Sequence, residues 1–277
     1  MGDLHQIKQR HLAVQAALCA EAEAPMFDHP AWDAAETVVD VGCGEGSYLR
    51  HLAARFPGKR FVGVDVHETA IALAEAGPPL ANLRFRWGRV EDLAERFDVL
   101  VSRFCLLYVD DLDAIAAWAA DHVGGGVLEI DNADDLFAAA PAVAPLTGLL
   151  HATRLPAAEG RVRTALLDAA PTWARHGFEV DAQREVVLHS GDGDAELFRE
   201  LLGLSVAVSI RRPLPEELAE RLAAWQPARD RVRIGIRGTW FRPAGARPDG
   251  PVPAADERRA SAAGRGGRGR SPASDHW

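Results

Sequence analysis

Three glycines at alternate positions, Gly42, Gly44 and Gly46, come directly after the apolar segment Thr37 to Val41. Glycine is needed where the backbone turns sharply and where a ligand touches the main chain with no Cβ between them. In an open α/β sheet such a turn lies at the carboxyl end of a strand, where ligands bind. The spacing therefore predicts a small-molecule site that includes Gly42, Cys43 and Gly44.

Two carboxylates accompany this turn. Asp65 closes the next apolar segment, 23 residues after Gly42, where a carboxylate can accept both hydroxyls of an adenosine ribose. Asp40 lies in the strand before the turn, where it can fix the loop amides or, through water, hold the ammonium group of a methionine moiety. A nicotinamide or flavin site shares the glycine turn and the distal acid, but it has no use for an anion at position 40. In addition, Ser47 stands where the dinucleotide fingerprint has its last glycine. These details favour S-adenosylmethionine, with an NAD(P)-dependent oxidoreductase as the alternative.

Short apolar strands alternate with helical segments along most of the chain. This alternation predicts a doubly wound, mostly parallel α/β sheet that is covered on both faces. The predicted strands are residues 37–41, 60–66, 83–87, 97–102, 127–131, 179–189 and 231–241. The triple glycine at residues 124–126 is predicted to end the helix that precedes the fifth strand.

Three regions are predicted along the chain. Residues 1–35 form a helical N-terminal lead, because apolar residues recur there at helical spacing. Residues 36–242 form one domain with lid-like helices at about 136–154 and 195–225. Residues 243–277, in which Pro, Gly, Ala, Ser and Arg dominate, are predicted to be a disordered tail.

Five segments in order resemble the motifs of class I S-adenosylmethionine-dependent methyltransferases of the small-molecule type. Residues 38–46 resemble the first motif, and residues 61–65 resemble the second. Residues 88–93 resemble the adenine-binding turn, residues 97–108 the fourth strand with its active-site edge, and residues 125–130 the fifth strand. The resemblance covers residues 36–135 well and the remainder up to 242 loosely. It implies a seven-stranded sheet whose last strand is antiparallel. It also implies S-adenosyl-L-methionine as cofactor and S-adenosyl-L-homocysteine as product.

The resemblance also implies a set of cofactor contacts. They are Asp40, Gly42, Cys43, Gly44, Asp65, Val66, Val90, Glu91, Ser102 and Arg103. One position departs from the family, which often has Asp after the glycine of the adenine turn, where this chain has Arg89. Glu91, Asp92 or the backbone at Val90 would then contact the adenine.

Methyl transfer needs in-line positioning, exclusion of water and, for a neutral acceptor, removal of a proton. Tyr108 follows the fourth strand, where the family places residues that face the transferred methyl group; the alternative is a tyrosine packed at a helix start. Asp131 ends the fifth strand and is a candidate for the acceptor pocket, with capping of the next helix as the alternative. His11 and His151 could act as bases, although a lone histidine is more often structural.

The composition excludes several functions. The formal net charge of −9 gives the chain no general attraction for nucleic acid or anionic lipid. The Arg/Gly-rich stretch at residues 265–270 could bind RNA weakly, but it is interpreted as a solvated extension.

The N-terminus lacks the apolar core of a signal peptide and no run of 18 apolar residues exists, so a cytoplasmic protein is expected. Three widely spaced cysteines predict no metal site.

The sequence therefore predicts an enzyme that methylates a small-molecule metabolite at an O, N or C atom, as a monomer or a homodimer. Nucleic-acid amino-methyltransferases typically carry an Asp/Asn-Pro-Pro-aromatic run after the fourth strand, and residues 102–105 are Ser-Arg-Phe-Cys here. Besides the oxidoreductase, two alternatives stay open. One is an enzyme that binds S-adenosylmethionine for other chemistry, and the other is a binding module without turnover.

Overall fold

The structure is a computed structural model that describes residues 4–154 and 169–245. The interpretation of residues 265–270, and the predicted tail from residue 246 onward, lie outside the described residues.

A single sheet organises the described chain. Its strands are β1 (Thr37–Val41), β2 (Arg60–Asp65), β3 (Leu83–Trp87), β4 (Phe97–Arg103), β5 (Val123–Asn132), β6 (Ala138–Ala139), β7 (Phe178–His189) and β8 (Val232–Pro243). The strand order is β3-β2-β1-β4-β5-β8-β6, and β7 also pairs with β8. Strands β1 to β5 are parallel neighbours, whereas β8 runs antiparallel to β5 and to β7. The predicted fold class is confirmed. The strand that adds to the seven predicted ones is β6, which is only two residues long.

Helices follow the strands in alternation and also precede β1. The α-helices of the described residues are α1 (Leu4–Cys19), α2 (Pro30–Ala34), α3 (Ser47–Arg55), α4 (Glu68–Ala76), α5 (Leu112–His122), α6 (Ala144–Arg154), α7 (Ala169–Arg175), α8 (Ala195–Ser209) and α9 (Glu216–Ala224). Helix α6 therefore begins later than the predicted 136–154 segment. Short 3-10 turns and β6 take up the residues before it, where Pro141 begins one of the turns.

Apolar side chains cover both faces of the sheet. Successive residues of β1 point to opposite faces, so Val38 packs in the cluster that contains α1, α2 and α3, and Val39 packs in the cluster that contains α5 and α7. Leu128 and Val127 of β5 divide between the two clusters in the same way. Burial on both faces explains why these parallel strands are continuously apolar.

A third apolar cluster joins α6 and α8 to the start of β8. Its buried members from these elements include Leu146, Phe198, Val206 and Val232. Since β8 is antiparallel to β5, its start lies at the carboxyl end of β5. The helices predicted as lids are therefore packed over the edge of the sheet where ligands bind in such folds.

The triple glycine is not a helix end, and that prediction was wrong. Helix α5 ends at His122, and all three glycines lie inside β5. A Cβ on Gly126 would lie 2.6 Å from the carbonyl oxygen of Phe241 in β8, and the φ angle of this residue is +154°. Glycine is required here because two backbones approach closely.

Candidate functional site

The glycine turn lies at the carboxyl end of β1, as predicted. The backbone N–H groups of Gly42 and Cys43 both donate to the carbonyl oxygen of Val64, at 2.8 and 3.1 Å. Gly42 has a φ angle of +76°, and a Cβ there would lie 2.0 Å from the Sγ atom of Cys105. Both the backbone angle and the close neighbour restrict position 42 to glycine. A Cβ on Gly44 would lie 3.4 Å from the Leu12 side chain, so α1 passes over this turn.

Asp65 connects β2 to the glycine turn. Its Oδ2 atom accepts from the backbone N–H of Gly44 at 2.9 Å, and its Oδ1 atom accepts from the backbone N–H of His67 at 2.9 Å. The ring Nδ1 of His67 also lies 2.9 Å from Oδ1. Each carboxylate oxygen offers about two lone-pair positions, so Oδ2 retains capacity for a further donor, whereas Oδ1 already has two nitrogen neighbours.

Asp40 is buried beneath the turn. The residue is only 3% exposed, and burial raises the pKa of the carboxyl to about 7, with the Arg103 charge opposing the rise and Asp65 adding to it. The neighbouring thiol of Cys43 is also largely buried, and this burial raises its pKa well above the ordinary value. The thiol is therefore protonated at neutral pH and serves as packing, whereas Asp40 can exist in either state.

Arg103 ends β4 and is held by a residue that the sequence analysis did not identify. Its Nε and Nη2 atoms donate to the carboxylate of Glu23 at 2.9 and 2.8 Å, and Glu23 is completely buried. The guanidinium group also lies over the rings of Tyr48 and Phe104, at 4.1 and 4.3 Å from their centres. Arg103 therefore lies beside the site, but Glu23 neutralises its charge. No local pattern pairs two residues 80 positions apart.

Phe104 follows Arg103 in a backbone conformation that bulky residues rarely adopt. Its φ angle is +53°, and its N–H donates to the carbonyl oxygen of Ile130 at 2.8 Å. Ser102, which is buried, donates its hydroxyl to the carbonyl oxygen of Val41 at 3.3 Å. A left-handed phenylalanine costs about 1–3 kcal/mol and persists only where its surroundings hold it. The Arg103 guanidinium over its ring and the hydrogen bond to Ile130 are the contacts that hold Phe104 in this conformation.

Two exposed apolar side chains lie next to Asp65. Val66 and Trp87 are 57% and 62% exposed, and the indole N–H of Trp87 donates to the carbonyl oxygen of Val66 at 3.2 Å. Val90 is buried in the core, so its side chain is not exposed beside Asp65. The carboxylate of Glu91 accepts from Arg89 at 2.6 Å. Trp87 was not among the predicted site residues, although it ends the predicted strand 83–87, and the structure pairs it with Asp65.

The predicted catalytic residues differ in exposure. Tyr108 is 74% exposed in a short 3-10 turn after β4, and it is not packed as the structural alternative required. Asp131 is buried near the end of β5, where its Oδ1 atom accepts from the backbone N–H of Asn132 at 2.6 Å. His11 lies on α1 with its Nε2 atom 3.0 Å from the hydroxyl of Ser205. His151 lies in α6.

A cavity opens at the carboxyl ends of β4 and β5. Its walls come from α1, the segments after β4 and β5, α6, α8 and the start of β8. The apolar lining includes Phe104, Phe137, Leu150, Phe198, Ile234 and Ile236. The polar lining consists of Gln15, Asn132, Asp134 and Ser205. A mostly apolar concave site with a few convergent polar groups is typical of a small-molecule pocket.

The described residues include no group of three or more His, Cys, Asp or Glu side chains placed to hold a metal ion. No helix in the described ranges is both long enough and apolar enough to cross a membrane.

Comparison with known proteins relates part of the chain to methyltransferases. Residues 38–126 match the family model of a methyltransferase domain. A trans-aconitate 2-methyltransferase from Deinococcus radiodurans is 40% identical over 95 residues, which are 34% of this chain and 36% of that protein. A malonyl-[acyl-carrier protein] O-methyltransferase from Bacillus cereus is 26% identical over 88 residues, which are 31% of this chain and 33% of that protein. The matches thus span about a third of the length of these curated relatives.

A solved structure resembles the chain over a larger part of its length. It is one chain of the complex between the Haloferax volcanii Trm112 methyltransferase activator and a methyltransferase. The TM-score is 0.52 at 17% identity, and the match covers 85% of this chain and 94% of that chain. At this identity the likeness shows a common fold.

Proposed function

We propose that this chain transfers a methyl group from S-adenosylmethionine to a small molecule, because residues 38–126 match the family model of a methyltransferase domain. Two linked features carry the proposal. One is a glycine turn that has no room for a side chain, and the other is a carboxylate that accepts a hydrogen bond from this turn. Gly42 has its φ angle at +76°, and Asp65 accepts from the amide of Gly44 at 2.9 Å.

The residues around this turn fit each part of the cofactor. Asp65 has lone pairs for ribose hydroxyls, and the exposed apolar side chains of Val66 and Trp87 offer a face for adenine, with the backbone of Val90 beside it. The turn at Gly42 and Gly44 would face the methionine part. The cofactor supplies a methyl group that is already activated on a positively charged sulfur.

Asp40 is suited to a cationic ligand. Its carboxyl has a pKa of about 7 because it is buried, so its protonation is easily shifted. An approaching positive charge stabilises the ionised form and lowers the pKa of such a group. We therefore assign to Asp40 the role of a counter-charge whose ionised form is favoured by the bound cofactor cation.

The cavity at the ends of β4 and β5 is the proposed acceptor site. Phe104, which lines it, directly follows Arg103, and Asn132 directly follows Asp131. Asp131 and Tyr108 remain the predicted residues of the acceptor side. Most of the cavity lining lies beyond residue 126, where the family match ends. The acceptors named for the relatives are therefore not assigned to this chain.

Calorimetry with two ligands tests the cofactor. S-adenosylhomocysteine should bind to the purified protein, and NAD should not. Tight NAD binding without S-adenosylhomocysteine binding would establish the oxidoreductase alternative instead. Incubation with methyl-labelled S-adenosylmethionine and a panel of small metabolites then tests the reaction, because label moves to an acceptor only in a methyltransferase. Binding with no label transferred to any compound would favour other chemistry or a binding module.

A further inference from the structure

We propose that Ser205 and His11 form a proton-accepting pair in the acceptor site, and that the acceptor is an apolar small molecule methylated on a hydroxyl oxygen. This inference rests on the proposed function, because it concerns the proton that methyl transfer releases. The pair is formed between two helices: Ser205 lies on α8, and His11 lies on α1 with its Nε2 atom 3.0 Å from the serine Oγ.

The placement of the pair connects a titratable ring to the cavity. The Ser205 side chain lines the cavity, whereas His11 lies behind it on a neighbouring helix. Gln15, one helical turn after His11, also lines the cavity. With the ring proton on Nδ1, Nε2 accepts from the serine hydroxyl, whose own oxygen then has lone pairs for an acceptor O–H.

The lining of the cavity selects the acceptor class. Phe104, Phe198, Ile234 and Ile236 present apolar surface to any occupant, which favours an apolar body. A neutral hydroxyl is a weak nucleophile and gains most from a proton acceptor, whereas a neutral amine can react without one. An apolar compound with one hydroxyl group therefore fits both the apolar lining and the proton-accepting pair.

The step balances as a substitution with proton transfer. The acceptor oxygen forms a bond to the methyl carbon, and the bond from that carbon to sulfur breaks with its electron pair remaining on sulfur. The hydroxyl proton of the acceptor passes to Ser205 Oγ as the serine proton passes to His11 Nε2. The imidazolium then returns its proton to solvent. Ser205 touches the acceptor, and His11 acts through it.

Other charged groups surround the pair. Arg10, next to His11, donates to the carboxylate of Glu200 on α8 at 2.6 and 2.7 Å, which balances both charges. Among the described side chains, the remaining charged or titratable groups on α1, on the two helices packed against it and in the cavity lining are Lys8, Cys19, Tyr48, Arg50, His51, Arg55, Glu196, Arg199 and Asp134.

Three naphthalene probes test the acceptor class with methyl-labelled S-adenosylmethionine. They are 1-naphthol, 1-naphthylamine and 1-naphthoate, which share one apolar body. Label should appear on 1-naphthol. Label on the amine or the carboxylate without label on 1-naphthol would overturn the inference, and so would the absence of label from all three. Calorimetry with S-adenosylhomocysteine separates the two proposals: if it binds and no probe is labelled, only this inference fails.

Two variants test the pair. His11→Gln keeps a hydrogen-bonding side chain at the helix contact, and Ser205→Ala removes only the hydroxyl group. Each should lower kcat for 1-naphthol about 100-fold or more without changing S-adenosylhomocysteine affinity, and Ser205→Thr should restore part of the rate. The exposed change Gln6→Ala on α1 is the matched control and should leave kcat unchanged.

The pH profile separates a proton-accepting role from a structural one. In the wild type, kcat should fall as the pH is lowered, because protonated His11 cannot accept a proton. His11→Gln should remove this fall and leave a low rate across the range. If kcat drops equally at every pH and the acidic limb persists in His11→Gln, the pair is structural and the inference is wrong.

Discussion

Arg103 and Glu23 form an ion pair from which solvent is excluded. The Arg103 side chain is 7% exposed and that of Glu23 is 0% exposed, with Nη2 and Oε1 2.8 Å apart. Arg103 ends β4 and Glu23 lies in the turn after α1. The pair therefore ties the N-terminal segment to the edge of the sheet that carries the site, and it sets the position of the rings of Tyr48 and Phe104 that lie against the guanidinium.

Breaking this pair should destabilise the protein strongly. Arg103→Met leaves the Glu23 carboxylate buried without its counter-charge, which typically costs about 3–5 kcal/mol. Urea unfolding monitored by fluorescence measures the change in the free energy of unfolding. In the double variant Arg103→Met/Glu23→Leu both charges are gone, so most of the loss should be recovered. If Arg103→Met cost less than about 1 kcal/mol, the pair would not hold the N-terminal segment in place.

The ribose carboxylate can be tested by affinity. Asp65→Ala removes charge-assisted hydrogen bonds and should weaken S-adenosylhomocysteine binding by about 1.5–3 kcal/mol, or roughly 10- to 150-fold. Isothermal titration calorimetry measures the dissociation constant. Asp121→Ala, an exposed change on α5, is the matched control and should bind normally. Unchanged affinity in folded Asp65→Ala would remove Asp65 from the cofactor site.

The strands and the glycine turn could be predicted because local chemistry determines them. Apolar runs between turn residues mark buried parallel strands, and Gly42 is fixed by its own backbone angle. Asp65 follows from its position at the end of the next strand. Each of these features has a local signal in its residue type and its place at a strand end, although the contact of position 42 with Cys105 appears only in the folded chain.

Other features depend on contacts between distant residues. Glu23 looks like an ordinary acid in a turn, and only the folded chain shows that it neutralises Arg103. Gly126 ends no helix because the carbonyl of Phe241 approaches it, 115 residues later in the chain. The pairing of His11 with Ser205 likewise needs α1 to pack on α8. Periodicity carries no information on which helices meet.

The glycine turn can be tested by adding one methyl group. Gly42→Ala places a Cβ 2.0 Å from the Cys105 sulfur in a left-handed backbone region, so it should weaken S-adenosylhomocysteine binding at least tenfold and cost about 1–3 kcal/mol of stability. Thermal unfolding and calorimetry measure both. Gly42→Ala/Cys105→Gly removes the clash and should regain part of the stability. Gly58→Ala, which meets no atom within 4 Å, serves as the control. Wild-type binding by Gly42→Ala would show that the turn does not contact the cofactor.

Glu129 should make stability depend on pH. It is buried in β5, and burial raises the pKa of its carboxyl to about 8, although a hydrogen bond from the Trp173 indole opposes the rise and Asp131 adds to it. The ordinary pKa is 4.5. Between these two values the folded chain binds a proton that the unfolded chain has lost. The free energy of unfolding must therefore decrease as the pH rises from about 4.5 to 8, and Asp40, with its pKa raised to about 7, contributes in the same direction.

Glu129→Gln isolates this contribution, because glutamine can accept from Trp173 and does not ionise. The variant should gain stability relative to the wild type as the pH rises, and the difference between pH 5 and pH 8 should exceed about 1 kcal/mol, since one unit of pKa shift corresponds to about 1.4 kcal/mol. Urea unfolding at both pH values measures it, with the exposed Glu220→Gln on α9 as control. A constant difference between Glu129→Gln and wild type at the two pH values would mean that Glu129 ionises in the folded protein as it does in the unfolded chain. The folded protein would then hold no additional proton on the buried carboxyl beside Trp173.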